Sequence, residues 1–181
     1  MPIAIAGTHS GVGKTTVTLS ILAALQRWGI AVQSFKVGPD YIDPMFHTAV
    51  TGRPCRNLDP VITSNQYVQS CFAEHNANAD GAAIEGVMGL FDGAGSDELG
   101  STAHVVKLLG KSVSVILAID CSRMSRSLAA TIYGYHHFDA DIKLAGVILN
   151  RVGSDRHREI LLEAIAPLGI PVLGIIPREE G

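Results

Sequence analysis

The stretch Gly7-Thr-His-Ser-Gly-Val-Gly-Lys-Thr-Thr16 constrains this chain more than any other, because it sets a glycine-rich turn between an apolar strand and an amphipathic helix. Triphosphate oxygens need several donors converging from a concave backbone and the positive end of a helix. Gly11 and Gly13 let the main chain come close enough to supply them. In such a loop Lys14 reaches the β- and γ-phosphates and the Thr15 hydroxyl holds Mg²⁺. Thr8 stands where the usual pattern has a glycine, with Gly7 one residue earlier, so the loop matches a variant longer by one residue. A glycine-rich turn without a ligand does not account for Gly-Lys-Thr at the start of a helix.

The rest of the chain alternates in period. Ile3 to Ala6 is a short apolar run ahead of the loop, and Val17, Ile21, Ala24, Leu25 and Trp28 recur at helical spacing before Gly29 stops them. Further strands are predicted at 30–37, 81–86, 113–119, 144–149 and 171–175, six in all with the first. Helices are predicted at 45–51, at 64–75, from the Ser101 cap to Leu109, around Leu128, Ile132 and Tyr135, and along Ile160 to Leu168. Strands alternating with helices imply an α/β fold with a doubly wound, mostly parallel sheet, since parallel neighbours need crossover connections. No repeat or linker interrupts the pattern, and a length of 181 residues suits one domain.

Composition narrows the partners. A net charge of −3 with scattered charges leaves no electrostatic footprint for nucleic acid. The longest unbroken apolar run of the fourth predicted strand, residues 115–119, is far too short to span a bilayer, so a cytoplasmic protein acting on small molecules is expected, without membrane. Cys55, Cys71 and Cys121 have no Cys-x-x-Cys spacing and read as reduced structural thiols. His136 and His137 are adjacent on a helix and point about 100° apart, which does not suit a shared metal.

In doubly wound sheets ligands collect beyond the carboxyl ends of the strands. The loop, Lys36, Glu85, Asp120 and Asn150 all fall there. Glu85 is the candidate second handle on Mg²⁺ beside Thr15, because an acid at the end of a neighbouring strand commonly serves so. Asp40 or Asp43 is available to complete the metal shell or to act on an acceptor. An anionic acceptor approaching the γ-phosphoryl group to about 4 Å costs roughly 4 kcal/mol at an effective dielectric of about 20. A lysine such as Lys36 offsets that repulsion, which points to phosphoryl transfer to an acidic acceptor.

Longer motifs carry a resemblance. Lys36-Val-Gly-Pro-Asp-Tyr-Ile-Asp-Pro-Met-Phe-His47, Asn57-Leu-Asp59, Glu85-Gly-Val-Met-Gly-Leu-Phe-Asp-Gly93 and Gly146-Val-Ile-Leu-Asn-Arg151 resemble the cobyrinic acid a,c-diamide synthase family over essentially the whole chain. The resemblance implies a P-loop NTPase-like fold akin to dethiobiotin synthetase. It also implies ATP-dependent amidation of the a and c side chains of cobyrinic acid through acyl phosphates in cobalamin biosynthesis. It puts ATP on Gly11, Val12, Gly13, Lys14, Thr15 and Thr16, adenine near Asn150 and Arg178, and Mg²⁺ on Thr15, Asp43 and Glu85. Lys36, Asp40, Tyr41, Asp43 and Asp92 fall around the reacting groups. Arg53, Arg56 and Arg123, with Lys36, are candidates for holding substrate carboxylates, since arginine offers a planar fork of donors.

Family members continue into a glutamine amidotransferase domain that makes ammonia from glutamine, whereas this chain ends at Arg178-Glu-Glu-Gly181. None of its cysteines lies in the glycine-flanked turn a glutaminase nucleophile needs. Residues 1–181 therefore read as the ATP-binding synthetase domain alone, with the glutaminase domain or another ammonia source as partner, and with a homodimer allowed. Related ligases acting on hydrogenobyrinic acid or nickel sirohydrochlorin are the near alternatives. A partition-type ATPase switch is the distant one, disfavoured because such proteins carry a lysine where His9 stands.

Overall fold

The computed structural model describes residues 2–178. Seven parallel strands form one sheet: β1 (Pro2–Gly7), β2 (Val32–Val37), β3 (Arg56–Leu58), β4 (Gly81–Glu85), β5 (Ser114–Asp120), β6 (Leu144–Val152) and β7 (Val172–Pro177), in the order β3-β2-β4-β1-β5-β6-β7. The helices are α1 (Lys14–Arg27), α2 (Asp43–Thr51), α3 (Asn65–Asn76), α4 (Thr102–Leu109), α5 (Ser127–His137) and α6 (Asp155–Ile165), followed by a 3-10 turn at Ala166–Leu168.

The central strands read as near-continuous apolar runs because both faces are covered. Alternation along β1 divides the core: Ala4 and Ala6 pack with residues of α3 to α6 on one face, and Ile5 packs with Val17 and Leu22 of α1 on the other. Serine caps set three helices, with the hydroxyls of Ser64, Ser101 and Ser154 accepting from the amides of Tyr67, His104 and His157.

Three expectations change. The sheet has a seventh strand, β3, whose three residues are too short to show a period and which pairs only along the β2 edge. Strand β6 runs past Asn150 to Val152, with Arg151 at φ 57. Trp28, expected on the buried stripe of α1, is its C-cap and is 74% exposed. No helix among the described residues is long and apolar enough to cross a membrane.

Strand order positions the site. The connection from β1 runs to β2 on one side, and the one from β4 crosses β1 to β5 on the other, so the strand order reverses at β1 and a crevice opens at its carboxyl end. Into that crevice come the loop after Gly7, Glu85 at the end of β4, and Asp120 at the end of β5.

Candidate nucleotide site

The glycine-rich loop turns on two left-handed residues, Gly11 at φ 80 and Gly13 at φ 94, with Gly13 as the N-cap of α1. A Cβ at Gly13 would collide with Asn150 Nδ2. That amide donates to Val12 O at 2.8 Å, while Asn150 Oδ1 accepts from the Arg151 amide at 2.9 Å. Asn150 thus braces the loop from β6, and the left-handed turn at Arg151 helps aim it. The Lys14 ammonium donates to Met88 O at 2.6 Å and His9 O at 3.3 Å, inside the concavity. Met88 has φ 43, an uncommon backbone conformation for a residue with a side chain, which directs its carbonyl at Lys14.

Behind the loop is a buried polar cluster. Glu85 Oε1 accepts from Thr15 Oγ1 at 2.6 Å and from Lys36 Nζ at 2.9 Å, and Oε2 meets His47 Nε2 at 2.6 Å. Lys36 also pairs with Asp43 Oδ2 at 2.7 Å and donates to Gly86 O at 3.2 Å. Four elements converge here: Thr15 from α1, Lys36 from β2, Asp43 and His47 from α2, and Glu85 from β4. Register explains part of it, because Lys36 stands directly opposite Glu85 on the paired strands.

Burial works against charge on Glu85, but the hydrogen bonds from His47 and Thr15 and the charge of Lys36 outweigh it and hold its pKa down to about 2. Burial also opposes charge on His47, yet hydrogen bonds to Cys55 and Glu85 push it up to about 9. Lys36 is opposed by burial and raised by Glu85 and Asp43. Lys14 is lowered by burial and by the nearby Lys36. Phosphate oxygens arriving at Lys14 would restore the balance that burial removes.

Thr15, Glu85 and Asp43 form an all-oxygen donor set, which suits a hard cation such as Mg²⁺. Among the described residues no group of three or more His, Cys, Asp or Glu is arranged to hold a metal by itself. A cation here would therefore draw its remaining ligands from phosphate and water, as Mg²⁺ does.

The other named residues lie around this centre. Gly13, Thr16, Arg123, Asn150, Arg151 and Arg178 line an open cleft of about 540 Å³ on the β5–β6 side. Asp40, Tyr41 and Arg56 line a cavity of about 380 Å³ on the β3 side. Asp40 Oδ1 accepts from the amides of Ile42 and Asp43, forming the turn that starts α2, and Tyr41 is 82% exposed. Asp92 is exposed on the β4–α4 loop, its Oδ2 accepting from the Gly89 amide at 2.9 Å. Arg53 stands apart, in a shallow hollow with Gln33 and Glu74. Asp120 is taken up by Arg151 and the Ser122 amide. A larger cavity of about 860 Å³ between β7 and the start of α6 contains none of the loop residues, so volume alone does not locate the site. His47 and the Met88 carbonyl went unassigned in the sequence. His47 sits inside a quoted motif, but burial, which gives it its role, is not visible there.

Loop, parallel sheet and crevice together define a P-loop nucleotide-binding domain. The chain belongs to the CobQ/CobB/MinD/ParA nucleotide binding domain family, whose profile matches residues 3–181. It is 56% identical over 181 residues to a cobyrinate a,c-diamide synthase from Synechococcus sp., covering 99% of this chain and 39% of that one. It is 48% identical to a hydrogenobyrinate a,c-diamide synthase from Mycobacterium bovis, covering 97% and 39%. The chain thus spans about 39% of the length of these curated relatives. The fold alone is shared with the chloroplast FtsY of Physcomitrella patens, at TM-score 0.70 and 15% identity over 99% of this chain and 59% of that one.

Proposed function

We propose that this chain is the ATP-binding synthetase part of an enzyme that amidates the a and c side-chain carboxylates of cobyrinic acid. The γ-phosphoryl group of ATP passes to a carboxylate oxygen, giving ADP and an acyl phosphate. Ammonia then attacks the acyl carbon and phosphate leaves. Lys14 shifts from the Met88 and His9 carbonyls to phosphate oxygens, and the amides from Gly11 to Thr16 cradle the phosphates. Asn150 and Arg178 border the adenine. Thr15, Glu85 and Asp43 would hold Mg²⁺, which would supply charge neutralisation for the β- and γ-phosphates. Lys36 holds Glu85 and Asp43 in place and lends positive charge beside the acceptor. Asp40, Tyr41 and Asp92 flank the acceptor carboxylate and the incoming ammonia, with Arg56 and Arg123 available to its other carboxylates.

What supports the substrate most is the identity of 56% over 99% of the chain to a relative named for cobyrinate. The relatives named for hydrogenobyrinate stand at 48%, which makes the metal-free ring the second reading. Glutamine hydrolysed by a partner domain supplies ammonia, and the enzyme works in the cytoplasm; a homodimer is compatible with the fold.

The test is ADP release with ATP, Mg²⁺ and free ammonium, with and without cobyrinic acid, followed by mass analysis of the corrinoid. ADP that depends on the corrinoid, with a mass change of amide for carboxylate, is the expected result. ATP binding with no corrinoid-dependent ADP, both here and in a version extended by a glutaminase domain, would exclude this substrate.

A further inference from the structure

Nothing in the phosphate loop explains why a histidine is buried behind it. His47 is fully buried on α2, and both ring nitrogens have partners: Nε2 meets Glu85 Oε2 at 2.6 Å and Nδ1 meets Cys55 Sγ at 3.4 Å. The remaining donors to Glu85, Thr15 and Lys36, both go to Oε1. Among the described residues His47 alone engages Oε2, and Glu85 is itself fully buried.

We propose that His47 is a positioning residue: it fixes the plane of the Glu85 carboxylate so that Oε1 faces Thr15 and the cation and phosphates that collect there. This rests on the nucleotide and metal reading above. A carboxylate held at one oxygen can swing about its last bond, and each of its rotated positions presents a different lone pair to a cation. Held at both ends it presents one. Partners of this kind behind a metal ligand typically change metal affinity by about 10- to 100-fold when removed. The histidine is itself anchored from the side away from the site. Its backbone carbonyl accepts from Thr51 Oγ1 at 2.9 Å, and the Cys55 amide donates to Thr48 Oγ1 at 3.1 Å, tying the start of β3 to α2.

Two substitutions separate positioning from simple packing. His47→Gln keeps a donor near the place of Nε2, whereas His47→Asn keeps one near Nδ1 and leaves Oε2 without a partner. Calorimetry with ADP, in excess Mg²⁺ and then in EDTA, gives the gain in affinity that Mg²⁺ provides. Wild-type protein that binds no ADP under either condition would overturn the nucleotide reading rather than this one. With binding established, His47→Asn loses at least about tenfold of the Mg²⁺ gain with EDTA affinity within about twofold, and His47→Gln stays within about threefold on both. An unchanged Mg²⁺ gain in His47→Asn overturns the proposal, as does an equal loss with and without Mg²⁺. In wild-type protein labelled with ¹⁵N-histidine, the His47 ring resonances should shift when Mg²⁺ is added at saturating ADP. Unmoved resonances contradict the proposal whether or not the variants fold.

Discussion

The two sides of the phosphate loop are built differently. On the β4–β2 side, Thr15, Glu85, Lys36, Asp43 and His47 form a buried cluster in which Glu85 and His47 are fully buried and paired. On the β5–β6 side, Arg123, Arg151 and Arg178 are exposed around an open cleft, and the ion pair there, Arg151 with Asp120, has a side chain 47% exposed on the arginine. Charges are strong where water is excluded and weak where it is not. Under the proposed function, the half assigned to phosphate and metal is therefore set before ligand arrives, and the half assigned to the base is an open surface. Asn150 joins them, since its amide holds the Val12 carbonyl of the loop while it lines the cleft.

The sharpest way to break this contrast is to remove Lys14, the buried cation of the loop itself. Lys14→Ala should weaken ATP binding by at least about 100-fold in calorimetry, because phosphate charge is then left without its nearest counter-charge. Undiminished affinity would remove the phosphate-loop reading altogether. Glu85→Gln should also act strongly, but on stability as well as on metal. It leaves Lys36 and His47 buried without the carboxylate that both engage, a loss of about 3–5 kcal/mol for a broken buried pair, readable in denaturant unfolding. A variant as stable as wild type would mean the cluster is wetter than its geometry implies.

Gly13→Ala tests the joint between the halves. Its φ of 94 disfavours a side chain and the added Cβ strikes Asn150, so a loss of about 1–3 kcal/mol is expected together with weaker nucleotide binding.

Dependence on pH follows from the same cluster. The folded pKa of His47, about 9, lies above its ordinary 6.5, so its stabilising contribution is complete below 6.5 and is lost as pH rises through about 9. Glu85 runs the other way: its contribution is present above 4.5 and lost as pH falls through about 2. Melting temperatures should therefore plateau between about pH 4.5 and 6.5, and His47→Gln should flatten the alkaline fall. An alkaline limb of the same depth in that variant would assign the fall to another group. Smallest of all, Arg151→Ala should change ATP affinity by less than about twofold and stability by under about 1 kcal/mol, since exposed ion pairs contribute little. A larger effect would show the base half to be more organised than its exposure suggests.

The division also marks how far the sequence could be read. The loop, Lys36 and Glu85 were legible because each follows an apolar run, and strand ends in a doubly wound sheet converge whatever the side chains are. The cluster was legible only in part: the resemblance groups Asp43 with Thr15 and Glu85, but from α2 His47 reaches Glu85 and Asp43 reaches Lys36, and the angle at which that helix packs leaves no periodic trace. Strand β3 was missed for want of length, and the extension of β6 past Asn150 because polar residues in a strand read as its end. Trp28 was misplaced because helical spacing continues into a cap that has already turned toward solvent.

The measurement that tests the contrast most directly is competition between inorganic tripolyphosphate and ATP for the wild-type chain in excess Mg²⁺. If the buried half carries the binding, tripolyphosphate should displace ATP with an affinity within about tenfold of that of ATP itself, a difference of about 1.4 kcal/mol for the base and ribose. Failure to displace ATP at concentrations a hundredfold above its dissociation constant would place the binding energy in the open cleft and contradict the account.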